Sequence, residues 1–290
     1  MATTYPSTMP SKKTQPLSEY DQRAVDEIRA WRNPPEMWYS FATKQASMAW
    51  HGVTELVHKI PGVDWTMENV VKGLLELTNE ITQDSVWTEA VIKDFQKLGY
   101  PVVNLQDLLK LDLEQIDQAC SGLDKKYIGL ATIEGAATGV AGAAGIVPDL
   151  IALVSINLRA AGEYATYCGF DMKDPAERLF ALQILDTVAQ PSTNSKKVTI
   201  APAVRTASRV ARQTGSQVLE QVGVGNAIEA VARRLGISLT EKKLAQMVPV
   251  TGAFIGGGLN YMYTTTVCKT AYYMYRERFL QLKYGPGITS

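Results

Sequence analysis

Two glycine-rich apolar stretches constrain the fold of this chain more than any other feature of its sequence. The first reads EGAATGVAGAAGIVPD (residues 134–149) and the second VPVTGAFIGGGLN (residues 248–260). Small residues recur in both at a spacing of four, namely Gly135, Gly139 and Ala143 in the first and Gly252, Gly256 and Asn260 in the second. Such spacing places them on one helix face, where they let two backbones approach closely. The sequence therefore predicts two closely packed glycine-rich helices at the centre of the fold.

Three polar residues lie in these apolar stretches: Glu134, Asp149 and Asn260. Burying an ionisable group is costly unless it is paired, so each needs a structural or a functional reason. Asp149 follows Pro148 and suits the first turn of a new helix. Glu134 is either half of a buried ion pair or a functional group. Close packing of the two helices would join Glu134 to Asn260, and Asp149 would join them if the chain folds back at Pro148.

The rest of the chain reads as helical, and we find no sustained two-residue alternation that would indicate strands. Apolar residues recur at three and four positions between Trp38 and Ile60, which predicts a long amphipathic helix. Gly99 and Gly169 are predicted to end helices, and Gly236 to end one that runs from Ala227 to Leu235. Further predicted helices include residues 66–81, 85–98, 128–146 and 148–168, one from Asp174 to Gln190, one from Thr240 to Met247 and a last one from after Pro249 to about Lys283. The sequence predicts an all-α fold, with a flexible tail over residues 1–17 and one multi-helix domain over residues 18–290.

Composition excludes some classes of function. The 29 basic and 29 acidic residues give no net charge, so nothing favours nucleic-acid binding. Three scattered cysteines indicate a reducing compartment rather than a disulfide framework, and the polar N-terminus does not resemble a secretory signal. The longest uncharged run, between Lys243 and Lys269, contains Pro249 and Asn260, which favours a buried helix over a membrane span. We expect a cytoplasmic protein, associated with a membrane at most peripherally.

Metal and cofactor motifs are weak or missing. No phosphate-binding loop or dinucleotide fingerprint occurs, so no cofactor is predicted. His51, Glu55 and His58 share a face of one predicted helix, and Glu55 with His58 fits half of a di-metal motif. The second half would need a further histidine, and the chain has only two. A solvated helix face is therefore favoured over a metal site.

Tyrosines and arginines are concentrated near the C-terminus, where Tyr272, Tyr275, Arg276 and Arg278 follow one another closely. Tyrosine beside arginine suits a membrane–water interface. It equally suits the outer edge of a soluble helix packed on a core. We treat these four residues as candidate contacts to a membrane or to a partner.

Four blocks in order resemble the EcsC family: residues 134–150, the YCGFD turn at 167–171, residues 234–261 and AYYMYRERFL at 271–280. That family is named after a product encoded beside a bacterial ABC transporter. The resemblance implies a bacterial all-α protein with a glycine-rich apolar centre and a link to membranes. The residues that match the family pattern are Glu134, Gly135, Gly139, Gly142, Asp149, Gly169, Pro249, Gly252, Gly256 and Asn260.

Three hypotheses of function follow. The first is a non-enzymatic protein that associates peripherally with a membrane surface or a membrane protein, with an apolar ligand as a further partner. The second is a hydrolase or lipid-handling enzyme whose site gathers Glu134, Asp149, Arg159 and Asn260. The third is a bacterial toxin or effector that inserts its glycine-rich hairpin.

Overall fold

The computed structural model describes residues 16–32, 62–80, 86–139, 145–189, 217–246 and 258–289. Within them every regular element is a helix, which confirms the all-α prediction. In chain order the helices are α1 (Glu19–Arg32), α2 (Val63–Glu80), α3 (Val86–Lys97), α4 (Leu105–Leu108), α5 (Leu113–Ala119), α6 (Leu123–Gly139), α7 (Ile146–Tyr167), α8 (Pro175–Ala189), α9 (Gln217–Gln246) and α10 (Gly258–Tyr284). The helix predicted from Trp38 to Ile60 lies outside the described residues.

Capping side chains and glycines form several of the helix ends. The Ser18 hydroxyl accepts a bond from the backbone N–H of Asp21 at 3.0 Å and so caps α1. The Asp174 carboxylate accepts one from Ala176 N–H at 2.8 Å and caps α8 in the same way. Gly99 and Gly169 have positive φ after α3 and α7, as predicted for glycines that end helices.

The central helix of the bundle is α7. It packs against α2, α3, α6, α8, α9 and α10. Its inward face is apolar and fully buried, at Leu150, Leu153, Val154, Ala160 and Ala161. Further layers form where α6 packs on α10 and where α9 packs on α2 and α8. The first glycine-rich stretch therefore leads directly into the helix around which the others assemble.

Two predicted helix boundaries are wrong. The segments Ala227–Leu235 and Thr240–Met247 are not separate helices, because α9 runs without a break from Gln217 to Gln246. Gly236 does not end a helix; it lies inside α9, where a Cβ atom would come within 2.9 Å of the Val71 side chain. This glycine serves the close approach of α9 to α2, a role that the sequence does not distinguish from a helix stop.

The region before the first glycine-rich stretch also differs from prediction. The helix predicted over residues 128–146 begins earlier, at Leu123, and its described part ends at Gly139. Gly122 separates it from α5 with a φ of 87°. The next helix, α7, starts at Ile146 rather than at Pro148.

Candidate functional site

A polar cluster lies where α6, α7 and α10 meet. The side-chain amide of Asn260 donates one bond to Glu134 Oε2 at 3.2 Å and another to Asp149 Oδ1 at 3.1 Å. Asp149 and Asn260 are almost fully buried, whereas Glu134 is half-buried. The three polar residues of the glycine-rich stretches therefore do meet. Asp149 joins them because α7 folds back against α6.

The small residue at position 135 is what allows this approach. A Cβ atom added to Gly135 would lie 2.5 Å from Asn260 Nδ2, well inside van der Waals contact. Any larger residue would push α10 away from α6 and separate the amide from the two carboxyl groups. The predicted close approach is thus present at Gly135 and Asn260. Pro249, Gly252 and Gly256 lie outside the described residues, as does Gly142, and the surroundings of Gly139 are not described.

A fourth helix completes the cluster with a cation. Lys243 of α9 places its ammonium group 2.6 Å from Asp149 Oδ2, and only 18% of the lysine side chain is exposed. This pair supplies the opposite charge that a buried carboxylate requires. Sequence reasoning missed Lys243. The signal was the need for a cation, and Lys243 is the last charged residue before the second glycine-rich stretch.

The pKa of the Glu134 carboxyl group is raised in this cluster. Partial burial and the neighbouring Asp149 carboxylate raise its pKa to about 7, although Lys243 and the Asn260 amide act in the opposite direction. The side chain therefore changes charge near neutral pH. A group of this kind can hold and release a proton under physiological conditions.

A buried oxygen of the cluster has no hydrogen-bond partner in the part of the chain that the structure describes. It is the carbonyl oxygen Oδ1 of Asn260, which is buried. The amide keeps this orientation because the opposite one would turn an acceptor toward two carboxyl groups. The cluster therefore binds its own members through the NH₂ side of Asn260.

Arg159 does not belong to the cluster. It lies ten residues after Asp149 on α7, about 15 Å away at 1.5 Å per residue, and its side chain is exposed. Its charge acts instead on Tyr127 of α6, where it partly offsets the burial that raises the pKa of that phenol. The structure therefore does not place Arg159 in one site with Glu134, Asp149 and Asn260, as was predicted.

Large exposed apolar side chains lie on α6 and α10 near the polar cluster. Ile133 of α6 is 72% exposed and Met262 of α10 is 61% exposed, with Leu130 and Tyr261 close to half exposed. All four lie within about 8 Å, measured along the helix axes, of the contact between Gly135 and Asn260. We call this set of four side chains the apolar edge.

The predicted contacts near the C-terminus are placed differently from expectation. Tyr275 is fully buried, and the Arg276 side chain is only 3% exposed. Arg276 bridges Glu27 and Asp117, at 2.9 Å each, and lies over the half-buried Tyr272 ring at 4.5 Å. These side chains are core elements of α10 rather than an exposed rim, because ion pairs make burial of the guanidinium tolerable.

Arg278 has a similar position. It binds Glu177 of α8 through two hydrogen bonds of 2.5 Å each. Its guanidinium stacks over Phe170 at 4.0 Å and over Phe180 at 4.4 Å. These contacts fasten α10 to α8, so Arg278 too is engaged within the fold.

The metal candidates His51, Glu55 and His58 lie outside the described residues. Among residues that are described, no group of three or more histidine, cysteine, aspartate or glutamate side chains could hold a metal ion. Cys120, Cys168 and Cys268 are free and buried. None of the described helices is long and apolar enough to cross a membrane.

The fold is an all-helical bundle in which a carboxyl pair, a lysine and an asparagine meet between four helices. The chain belongs to the EcsC protein family, whose pattern it matches over residues 22–280, from α1 to α10. This match confirms the resemblance seen in the sequence.

Two relatives from Bacillus subtilis (strain 168) are similar to this chain. The uncharacterized protein YdbA is 25% identical over 190 residues, which cover 65% of this chain and 67% of YdbA. Protein EcsC is 25% identical over 176 residues, which cover 61% of this chain and 69% of EcsC. No solved structure matches the chain.

Proposed function

We propose that this protein associates peripherally with an anionic membrane surface and that the apolar edge is its contact with lipid. The observation that carries the proposal is the exposure of four large apolar side chains on two neighbouring helices, beside the polar cluster. Exposed apolar side chains that lie together on one surface often mark a binding site, and we propose that these four do so. Tyr261 and Met262 add an aromatic and a flexible side chain, both suited to a lipid interface.

The surface next to the apolar edge favours anionic lipid. Lys125 and Lys126 are exposed on α6, one to two turns before Leu130, and Lys269 is exposed on α10. Arg159 of α7 lies near the same level, beside Tyr127. These four basic side chains outnumber the two acidic ones among them, Asp124 and Glu163. An apolar strip beside excess basic charge is the arrangement by which peripheral proteins bind anionic bilayers.

This location replaces the rim that the sequence suggested. Since Arg276 and Arg278 are held in ion pairs inside the fold, the basic charge for lipid binding comes from the lysines of α6 and α10. The three buried thiols are consistent with action at the cytoplasmic side of a membrane, where cysteines stay reduced.

Vesicle co-sedimentation tests the proposal. We expect the protein to bind vesicles that contain phosphatidylglycerol at low salt and to bind less at high salt. Replacing both Ile133 and Met262 by serine should weaken binding at least about tenfold, because each side chain contributes on the order of 1 kcal/mol or more when it leaves water.

A matched control uses apolar residues that are exposed elsewhere. Val103 is 76% exposed and Leu98 43%, both near the end of α3. Replacing these two by serine changes exposed apolar area in a similar way without touching the apolar edge. Equal losses for the two double variants, or no vesicle binding by the wild-type protein, would refute the proposal.

A second candidate function is hydrolysis, which one observation favours. Glu134 titrates near neutral pH, as a general acid or base should. Against it, the Asn260 amide donates to both carboxyl groups and Lys243 binds Asp149, so these donors are already engaged. Ester hydrolysis by the wild-type protein that Glu134→Gln abolishes, while folding is retained, would establish this alternative.

A further inference from the structure

The segment after α10 folds back along the bundle, and we call residues 285–289 the C-terminal turn. Gly285 ends α10 with a φ of 105°, a conformation that favours glycine. Four residues later Thr289 is buried, and its hydroxyl donates to the Glu277 carboxylate, which lies twelve positions earlier in the chain. The C-terminal turn is therefore docked on the body of the protein.

One buried carboxylate joins the C-terminal turn to α1. Glu277 accepts a hydrogen bond from Arg32 of α1 as well as the bond from Thr289. Close by, Arg29 of α1 donates to the Ile288 carbonyl oxygen at 3.3 Å. Arg32 supplies the cation that a buried carboxylate requires, and Thr289 supplies a further donor. Because loss of either leaves Glu277 less well paired, the docking of each element stabilises the docking of the other.

The first helix is buried to a smaller extent than the helix at the centre of the bundle. Four of the fourteen residues of α1 are buried, against fourteen of the twenty-two in α7. Among the described helices, α1 packs mainly on α5 and α10. Elements with few buried apolar contacts open locally while the rest of a protein stays folded. We therefore expect α1 to leave the bundle more readily than α7.

An aromatic and basic part of α10 lies beneath α1. The Trp31 ring of α1 stacks on Tyr273, with 5.1 Å between the ring centroids. Glu27 of α1 binds Arg276 at 2.9 Å, and Arg276 lies over the Tyr272 ring. Both tyrosines are half-buried and Arg276 is buried. Departure of α1 uncovers the two rings and takes one carboxylate partner from Arg276.

We propose that α1 and the C-terminal turn form a latch, fastened at Glu277, that opens as one unit and uncovers Tyr272, Tyr273 and Arg276. The closed latch hides this part of α10, and the open latch presents it. The latch acts near the end of α10, whereas the apolar edge lies near its beginning. It therefore does not depend on the membrane contact proposed above.

Hydrogen–deuterium exchange of the full chain, followed by mass spectrometry, tests the latch. In the wild type we expect the amides of α1 to exchange faster than those of α7. Thr289→Val removes the hydroxyl that binds Glu277 and should accelerate exchange in α1 at least about fivefold, although residue 289 lies outside that helix. Exchange in α7 should stay at the wild-type rate.

The coupling should also act in the opposite direction, since an interaction free energy between two elements is reciprocal. Arg32→Met removes the cation on the α1 side. It should accelerate exchange in the C-terminal turn, where the Gly285 N–H is bonded to Gln281 O at 2.9 Å in the closed latch.

Thr266→Val is the matched control. It removes the same hydroxyl from an exposed position of α10, where Thr266 donates to the Met262 carbonyl oxygen at 2.8 Å. Exchange in α1 should remain at the wild-type rate in this variant.

Three results would overturn the latch. Thr289→Val could change exchange only within the C-terminal turn, which would show that the turn and α1 are uncoupled. It could accelerate α1 and α7 alike, or the two helices could exchange equally fast in the wild type; α1 would then open only when the whole bundle unfolds. Vesicle binding is measured separately, so none of these results bears on the proposed function.

Discussion

Replacing Glu134 by glutamine should stabilise the folded protein at pH 8 and have little effect at pH 5. The reason is the raised pKa of this side chain, which moves from the ordinary value of 4.5 to about 7 under the influence of burial and of Asp149. At pH 8 the wild-type protein carries a carboxylate in a place that disfavours charge. Glutamine keeps the shape and the acceptor oxygen for the Asn260 amide but removes the charge.

The magnitude follows from the shift and from exposure. A displacement from 4.5 to about 7 would correspond to roughly 3 kcal/mol of free energy of unfolding. Glu134 is only half-buried, so screening by water reduces the expected gain to about 1–2 kcal/mol. At about 2–4 °C per kcal/mol for a domain of 150–250 residues, the melting temperature should rise by roughly 2–8 °C.

The sign of the pH dependence is fixed by proton binding. Between about pH 4.5 and pH 7 the folded protein holds the Glu134 proton that the unfolded chain has lost, so unfolding releases a proton. The stability of the wild type relative to Glu134→Gln therefore falls as pH rises through this window. The penalty is absent below about pH 4.5 and complete above about pH 7.

Thermal melts followed by circular dichroism, at pH 5 and at pH 8, measure this difference. Asp149→Asn is the matched control, since it changes the same chemical group in the same cluster. It should destabilise by about 3–5 kcal/mol, because Lys243 loses the buried carboxylate that it binds at 2.6 Å. Two results would refute the reasoning: a Glu134→Gln variant no more stable than wild type at pH 8, or an Asp149→Asn variant that melts higher than wild type.

Two further predictions concern stability. Gly135→Ala should cost about 1–3 kcal/mol of the free energy of unfolding, since its Cβ would lie 2.5 Å from Asn260 Nδ2. Gly129→Ala in the same helix meets no atom within 4 Å and should be neutral or stabilising by up to about 1 kcal/mol. Equal melting temperatures for the two variants would contradict close packing at Gly135. Arg276→Met should lower the free energy of unfolding measured by urea denaturation by about 3–5 kcal/mol. Arg233→Ala, which breaks an exposed ion pair, should lower it by less than about 1 kcal/mol. An Arg276→Met variant as stable as the wild type would show that the ion pairs of Arg276 are not needed.

Much of the polar cluster could be predicted from the sequence, because its members stand out against their surroundings. Glu134, Asp149 and Asn260 are polar residues in apolar glycine-rich stretches, and small neighbours such as Gly135 indicate a close helix contact. Local sequence patterns of this kind can be recognised without knowledge of the tertiary fold. The all-α class was predictable for a similar reason, since caps and glycine stops recur at intervals of one helix length.

What could not be predicted depends on how distant helices rotate against one another. Lys243 was assigned to a short helix, and nothing in its local pattern reveals that α9 turns it toward Asp149. Arg276 and Tyr275 were candidate contacts to a membrane or a partner because tyrosine beside arginine suits a membrane–water interface. The burial of Arg276 depends on Glu27 and Asp117, and that of Tyr275 on Phe170 and Phe180, all of which lie far away in the chain. Periodicity reports which face of a helix is apolar, but not which charges have remote partners.

The link between α1 and α10 has a consequence for how the protein is made. Arg276 binds Glu27 across 249 positions of the chain, and Arg32 binds Glu277 across 245. At about 5–20 residues per second, a ribosome needs roughly 12–50 s to reach α10 after it has completed α1. Throughout that interval Ala24, Val25 and Ile28, which are fully buried in the finished fold, have no docking surface from α10. The first helix can pack on α5 earlier, but its contacts with α10 form only after the last helix has been synthesised.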